Sequence, residues 1–298
     1  MRQAAEAVRG LWPGWAGALV PLGTSGERAV FRVKDAPCPA VVKCWPEAQR
    51  GKALAQVARQ GALAEAMGDG RFRVPEVLHV DEDRLALVMH DCGGRDLGAA
   101  LETSDETAAA RLLSAGGGWI AALHGLTRRE APFRPAPHLN WLNKLVAQAK
   151  AGTRRIDDLP RFKAQVTALQ AMVSEVRRRP SLRAVTHKDL NAGNLLVDDG
   201  GTLWGIDVEN GAEDEALRDL FSLALDGMGF ASCGGDRRAL AALGRGYGVE
   251  LGDPLVRLFL QRTFALGYWA RTPLPHSRRQ ATRMRAALWI LAQDGAVF

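Results

Sequence analysis

The stretch 184–208 leaves this chain few ways to fold. Ala184-Val185-Thr186 reads as a short strand leading into a polar loop, His187-Lys188-Asp189-Leu190-Asn191-Ala192-Gly193-Asn194. Leu195-Leu196-Val197 leads out, Asp198-Asp199-Gly200-Gly201 is a strong hairpin-turn signal, and Thr202-Leu203-Trp204-Gly205-Ile206 returns. Such a hairpin carries Asp207 back beside Asn194. Any one of these Asp or Asn residues, taken alone, reads equally well as the cap of a turn. Together, on a strand–loop–hairpin frame, they place one carboxylate (Asp189) where it can meet a hydroxyl. They also place an amide oxygen and a second carboxylate (Asn194, Asp207) where both can face one divalent cation. Oxygen ligands of this kind suit Mg²⁺, which keeps part of its water and completes its shell with phosphate oxygens. Phosphoryl transfer needs such parts.

The pattern H-x-D-x-x-x-x-N, then I-D, continues into Glu213-Asp214-Glu215-Ala216-Leu217-Arg218-Asp219-Leu220. Over 185–225 it resembles the catalytic and metal-binding segment of the aminoglycoside phosphotransferase and choline kinase group. The resemblance implies an α+β, two-lobed protein-kinase-like fold: a small N-terminal lobe of antiparallel β-sheet plus a helix, then a larger, mostly helical C-terminal lobe. It implies ATP and Mg²⁺ as cofactors and a small-molecule hydroxyl as phosphoryl acceptor. In that scheme Asp189 orients the acceptor hydroxyl and takes its proton, Asn194 and Asp207 hold the metal, and Asp219 buttresses the catalytic loop.

The N-terminal third is ordered as such a scheme requires. Leu19-Val20-Pro21-Leu22 reads as a strand, Gly23-Thr24-Ser25-Gly26 as a tight turn whose backbone could approach phosphates, and Ala29-Val30-Phe31-Arg32-Val33 as the return. Lys43 ends the apolar run Ala40-Val41-Val42, one hairpin later, and resembles the V-A-I-K lysine that holds nucleotide phosphates. Otherwise it is an ordinary edge-strand lysine. A helix is expected over 47–67. The resemblance would put a glutamate near Gln60 to pair with Lys43; Gln60 is neutral and Glu65 is the nearest acid downstream, so either could take the role. Two strands follow over 73–80 and 84–89. Met89 and His90 would form the hinge, offering backbone groups to an adenine edge, and Cys92-Gly93-Gly94 would leave it. The expected lobes are 1–91, binding nucleotide, and 92–298, carrying the catalytic loop and acceptor site.

The remainder reads as helical, over 106–123, 138–151, 160–179, 215–225, 236–247, 254–271 and 277–293, with a proline-rich connector at 131–137. His124, Trp119, Trp141, Trp269 and Trp289 are read as packing residues. No apolar run approaches a membrane span, and the first residues lack a signal peptide's apolar core. The four cysteines form no C-x-x-C pair or regular framework, which points to free thiols and a cytoplasmic setting. The net charge of +6 is carried mostly by arginine, without a nucleic-acid recognition motif. Neither a nucleic-acid partner nor a membrane is expected, and the sequence leaves oligomeric state open.

Val208 and Glu209 follow Asp207 where protein kinases have Phe and Gly, and no A-P-E closes an activation segment. A small-molecule acceptor is therefore expected. The alternatives are a nucleotide-binding regulator without catalysis and an atypical protein kinase. Two features bear on the acceptor. Arg257, Arg262, Arg271, Arg278, Arg279, Arg283 and Arg285 give the C-terminal part a basic stripe, which suits anions or is a solvated helix face. The acidic run Glu213-Asp214-Glu215 could instead receive an amine. On balance a neutral or singly charged metabolite is expected, with aminoglycosides poor acceptors.

Overall fold

Alternating side chains put β3 (Ala40–Cys44) at the centre of everything before residue 97. The computed structural model describes residues 1–25, 28–272 and 274–298. Within it the elements run α1 (Arg2–Leu11), β1 (Leu19–Ser25), β2 (Arg28–Val33), β3, α2 (Arg50–Met67), β4 (Phe72–Arg73), β5 (Val77–Asp81), β6 (Ala86–His90) and β7 (Arg95–Asp96). Five of the strands form one sheet in the order β1-β2-β3-β6-β5, every pair antiparallel. Because strand side chains alternate between faces, Ala40, Val42 and Cys44 pack against α1 through Ala4, Ala7 and Val8. Trp45 packs on the opposite face against Ala53 and Val57 of α2. Lys43 is therefore dealt to the α2 side. The sequence reading did not anticipate α1.

Two expectations shift here. Gly23, Thr24 and Ser25, expected in a turn, continue β1 and pair with Val30, Ala29 and Arg28. A register shift between Pro21 and Gly23 absorbs the proline, which has no N–H to give to a ladder. Gly26 lies outside the described residues. The strand expected over 73–80 is split into β4 and β5 around Pro75 for the same reason.

The chain then builds α3 (Leu97–Glu102), α4 (Glu106–Gly125), β8 (Arg129–Pro132), α5 (Ala136–Lys150), α6 (Leu159–Ala171), α7 (Val173–Val176) and β9 (Pro180–Val185). The hairpin strands β10 (Leu195–Val197) and β11 (Leu203–Gly205) follow, then β12 (Glu213–Glu215), α8 (Leu217–Gly227), α9 (Asp236–Tyr247), α10 (Pro254–Arg271) and α11 (Arg278–Leu291). By its contacts the chain divides into two units, Met1–Leu97 with Gly193–Gly211, and Gly98–Ala192 with Ala212–Phe298. The hairpin thus joins the first unit, in a second sheet of order β4-β11-β10-β7. Gly94 lets β7 come close: at φ +70°, an added Cβ would run into the Val197 carbonyl.

Helix starts in the second unit follow capping chemistry. Asp105 accepts from Ala108 N at 2.7 Å, Asp253 from Leu255 N at 2.8 Å, and Ser277 forms a reciprocal capping box with Gln280. The helix expected over 160–179 stops at Ala171 and resumes only for Val173–Val176. Pro180 biases Arg179 toward extended backbone and starts β9. The helix expected from 215 begins at Leu217, because Glu213–Glu215 pairs with Arg183–Val185 as β12. The connector at 131–137 begins as part of β8. No helix among the described residues is long and apolar enough to cross a membrane.

Candidate functional site

Lys43 is 2 % exposed and carries its ammonium inside the first unit. A buried cation must be paired to be tolerated. Its Nζ donates to Asp207 Oδ1 at 2.6 Å, lies 3.5 Å from Glu209 Oε1, and sits 5.2 Å from the centre of the Trp45 ring. The α2 residue that meets it is Gln56. With that amide oriented so that both ends are satisfied, its oxygen accepts from Lys43 Nζ at 2.9 Å and its nitrogen donates to Glu209 Oε1 at 3.1 Å. Lys52, one turn earlier on α2, reaches Glu209 Oε2 at 3.1 Å.

This corrects the expected helix partner. Gln60 is buried but turns to Pro75 O at 2.5 Å, and Glu65 is exposed. The buried stripe of α2 is Ala53, Gln56, Gln60, Leu63, at helical spacing. Two glutamines on that stripe could have served, and the nearer to the start of the helix does. The acid comes from Glu209, two residues beyond Asp207. A buried glutamine at i−4 from the expected position and an acid in place of the kinase glycine were the available signals.

Asp207 itself has left-handed backbone (φ +60°), and its side chain is 44 % exposed, so its second oxygen is open to a ligand. Ile206 N donates to Asn194 O at 2.9 Å, and Leu195 pairs with Gly205, so Asn194 and Asp207 flank the mouth of one hairpin as the spacing suggested. The turn is locked by Asp198, which accepts from Thr202 N at 2.8 Å and Trp204 Nε1 at 2.9 Å. Burial would raise the Asp198 pKa, but these hydrogen bonds outweigh it and hold the carboxyl below the usual range. Among the described residues no group of three or more His, Cys, Asp or Glu side chains could cage a metal by itself. A carboxylate plus an amide oxygen is the partial set that Mg²⁺ accepts when water and phosphate fill the rest.

The expected hinge is partly closed to an adenine edge. His90 N–H is taken by Glu76 O at 2.9 Å and Asp91 N–H by Pro39 O at 3.1 Å, because β6 runs through His90. Met89 packs with the Trp45 and Leu87 cluster.

In the second unit the loop bearing Asp189 is held from beneath. Asp219, fully buried in the first turn of α8, accepts from His187 N at 2.6 Å, Lys188 N at 2.9 Å and His124 Nε2 at 3.1 Å. His124 reaches Tyr247 Oη with its other ring nitrogen, at 3.1 Å. Burial pushes the Asp219 carboxyl up; the His124 hydrogen bond and charge and the backbone donor of His187 overcome it, so the pKa lies below the usual value. Lys188 adopts φ +73° and Asp189 is exposed. A second buried acid, Asp226, accepts from Ala192 N at 2.9 Å and pairs with Arg279 at 3.3 Å and Arg283 at 3.3 Å. Arg279 also donates to Asn191 Oδ1 at 3.0 Å. Asp226 was not singled out in the sequence, where it looks like any acid late in an amphipathic helix.

The model of the phosphotransferase enzyme family matches residues 18–260. The chain belongs to that family. Among solved structures it is similar to choline kinase LicA from Streptococcus pneumoniae, at 13 % identity and TM-score 0.59, covering 97 % of this chain and 98 % of that one. It is similar to a thermostable mutant of aminoglycoside phosphotransferase APH(4)-Ia in ternary complex with AMP-PNP and hygromycin B, at 14 % identity and TM-score 0.63, covering 97 % of each chain. It is also similar to macrolide 2'-phosphotransferase MphH from Brachybacterium faecium, at 16 % identity and TM-score 0.59, covering 98 % of each chain. No curated protein matches. The fold is the α+β, protein-kinase-like one that the catalytic-loop pattern implied.

Proposed function

We propose that this family member is an ATP- and Mg²⁺-dependent phosphotransferase acting on a hydroxyl of a small molecule. The observation that carries the reading is the Lys43–Asp207 pair. Residues 164 apart in sequence meet at 2.6 Å, one the expected phosphate-binding lysine and the other the expected metal ligand. In the first unit Lys43, with residues 23–26, would hold the nucleotide phosphates, and Asn194 with Asp207 would hold Mg²⁺. Bound there, Mg²⁺ neutralises charge on the phosphates. In the second unit Asp189 would orient the acceptor. The acceptor O–P bond forms as the bond to the ADP oxygen breaks, and the hydroxyl proton passes to Asp189. Asp219 acts through the loop, fixing His187 and Lys188 so that Asp189 does not wander. That the related solved structures include kinases of choline, aminoglycosides and macrolides supports a small acceptor without naming it.

The test is ADP release from ATP and Mg²⁺ across a panel of hydroxyl compounds, with Asp189→Asn and Asp207→Asn. Both variants are expected to fold and to lose about 100-fold or more in rate, the scale seen when charge-stabilising groups are removed. Near-wild-type rates in both on a compound the protein does phosphorylate would refute the assignment.

A further inference from the structure

Most of the charges that the sequence offered for acceptor recognition are spent inside the fold. Arg262 donates to Gln293 O, Arg257 to Phe298 O, and Arg285 pairs with Asp236; Arg279 and Arg283 hold Asp226. The acidic run is spent as well. Glu213 pairs with Arg129, Glu215 with Arg183 and Ser181, and Asp214 with Arg218. An amine would find these carboxylates already neutralised.

Arg271, at the last turn of α10, and Arg278, at the start of α11, are the exceptions, and Arg271 is the one of the two set on an aromatic ring of another helix. Its side chain reaches back only to Gly267 O of its own helix, at 3.1 Å, and makes no ion pair among the described residues. It is exposed, and its guanidinium lies 5.5 Å from the Trp141 ring centre. Trp141 sits flush on α10 because residue 267 is glycine; an added Cβ there would collide with the indole. Two more arginines are fixed on the same part of the unit. Arg154 donates to Ala270 O at 3.1 Å, beside Arg271, and Arg218 stacks on Phe264 at 4.5 Å, two turns earlier on α10. Desolvation and then repulsion from Arg218 and Arg154 lower the pKa of Arg271; the catalytic-loop carboxylate Asp189 is the group that pulls it up. Arg271 thus lies within electrostatic reach of Arg154, Arg218 and the proposed general base Asp189, and it has no carboxylate ion pair among the described residues.

The geometry points to Arg271, backed by Arg154 and Arg218, as the subsite for an oxyanion carried by the acceptor, a carboxylate or a phosphate ester. This rests on the phosphotransferase reading and specifies its substrate class. A planar guanidinium held on an aromatic ring presents two parallel N–H groups, the arrangement that a carboxylate or phosphate accepts in bidentate fashion. The charge of Arg271, which no ion pair among the described residues offsets, also disfavours cationic acceptors by direct repulsion.

The experiment has two arms, both on the full chain. ADP release with ATP and Mg²⁺ is measured for glycerate and glycerol 3-phosphate against glycerol and choline. The anionic pair should be favoured, and the better of the two identifies the oxyanion. Arg271→Gln should raise KM for the anionic acceptor about 10- to 100-fold, the loss expected for one charge-assisted contact. It should leave KM for ATP unchanged, and Arg271→Lys should restore part. In the second arm inorganic phosphate is titrated onto wild type, Arg271→Gln and Lys43→Ala. Phosphate binding should fall with Arg271→Gln and persist in Lys43→Ala. Preference for glycerol or choline, an unchanged anion KM in Arg271→Gln, or no Arg271-dependent phosphate binding overturns the subsite. Absence of ATP turnover with every acceptor, while phosphate still binds through Arg271, would instead count against the phosphotransferase reading and leave the anion site standing.

Discussion

Replacing Asp219 by Asn removes one charge from a fully buried position and changes almost nothing in shape. The wild-type carboxylate takes hydrogen bonds from His187 N, Lys188 N and His124 Nε2. Asparagine can accept at one oxygen, but its NH₂ must face at least one of those donors. Hydrogen bonds to charged groups contribute about 1.5–3 kcal/mol each, and a buried donor left unmet costs about 1–3 kcal/mol. One lost contact and one clash therefore cost roughly 3–5 kcal/mol, a third or more of a typical total stability of about 5–15 kcal/mol. The pH dependence has a definite sign. The folded pKa of Asp219 is below its unfolded value, so its contribution is complete above the unfolded value, near pH 4, and is lost as pH falls through the lower, folded one. Urea unfolding from pH 3 to 8 should show Asp219→Asn weaker than wild type at neutral pH, with the gap narrowing in acid. Catalytic rate should fall more than ATP affinity, because the lost contacts anchor the Asp189 loop. A variant within about 0.5 kcal/mol of wild type at pH 7, or a gap that widens in acid, would refute the reasoning.

Gln56→Glu would set a third carboxylate beside Glu209 and Asp207 around one ammonium. Like charges about 3 Å apart do not both ionise easily, so thermal stability should drop at pH 8 and recover toward pH 5; unchanged melting at pH 8 would count against the described Lys43 network. Burial pushes the thiols of Cys44 up to about 11 and Cys92 up to about 12, while Cys38 is the only cysteine not buried. Iodoacetamide at pH 8, read by mass spectrometry, should label Cys38 first and the buried thiols only on unfolding. Gly94→Ala should destabilise by about 1–3 kcal/mol, since both the positive φ and the Val197 carbonyl oppose a Cβ; equal melting temperatures would show that β7 can shift.

Where local chemistry determined structure, the sequence was readable. The Asp198-Asp199-Gly200-Gly201 turn and the helices Asp236–Tyr247 and Pro254–Arg271 follow from neighbours in the chain. What depended on distant partners was not readable. Glu215 looks like the start of a helix, and only the pairing of Glu213–Glu215 with β9 makes it the end of a strand. Gln56 and Gln60 are equally plausible on one helical stripe until Pro75 O captures Gln60. The arginine stripe looked like one free surface, and it took Asp226, Asp236 and two backbone carbonyls to show that most of its guanidinium groups are already engaged.

The first unit closes on itself only by way of a segment made much later. Lys43 must wait for Asp207, 164 residues downstream, before its buried charge is answered. At about 5–20 residues per second of synthesis, that delay is roughly 8–33 seconds. During that interval the nascent sheet has its apolar faces but not the carboxylates that make its central lysine tolerable. A piece of the chain ending near residue 97 would be fixed in that condition permanently. Truncation at the end of the first unit's opening segment should therefore give an aggregation-prone product, and supplying 193–211 in cis should be the shortest addition that relieves it.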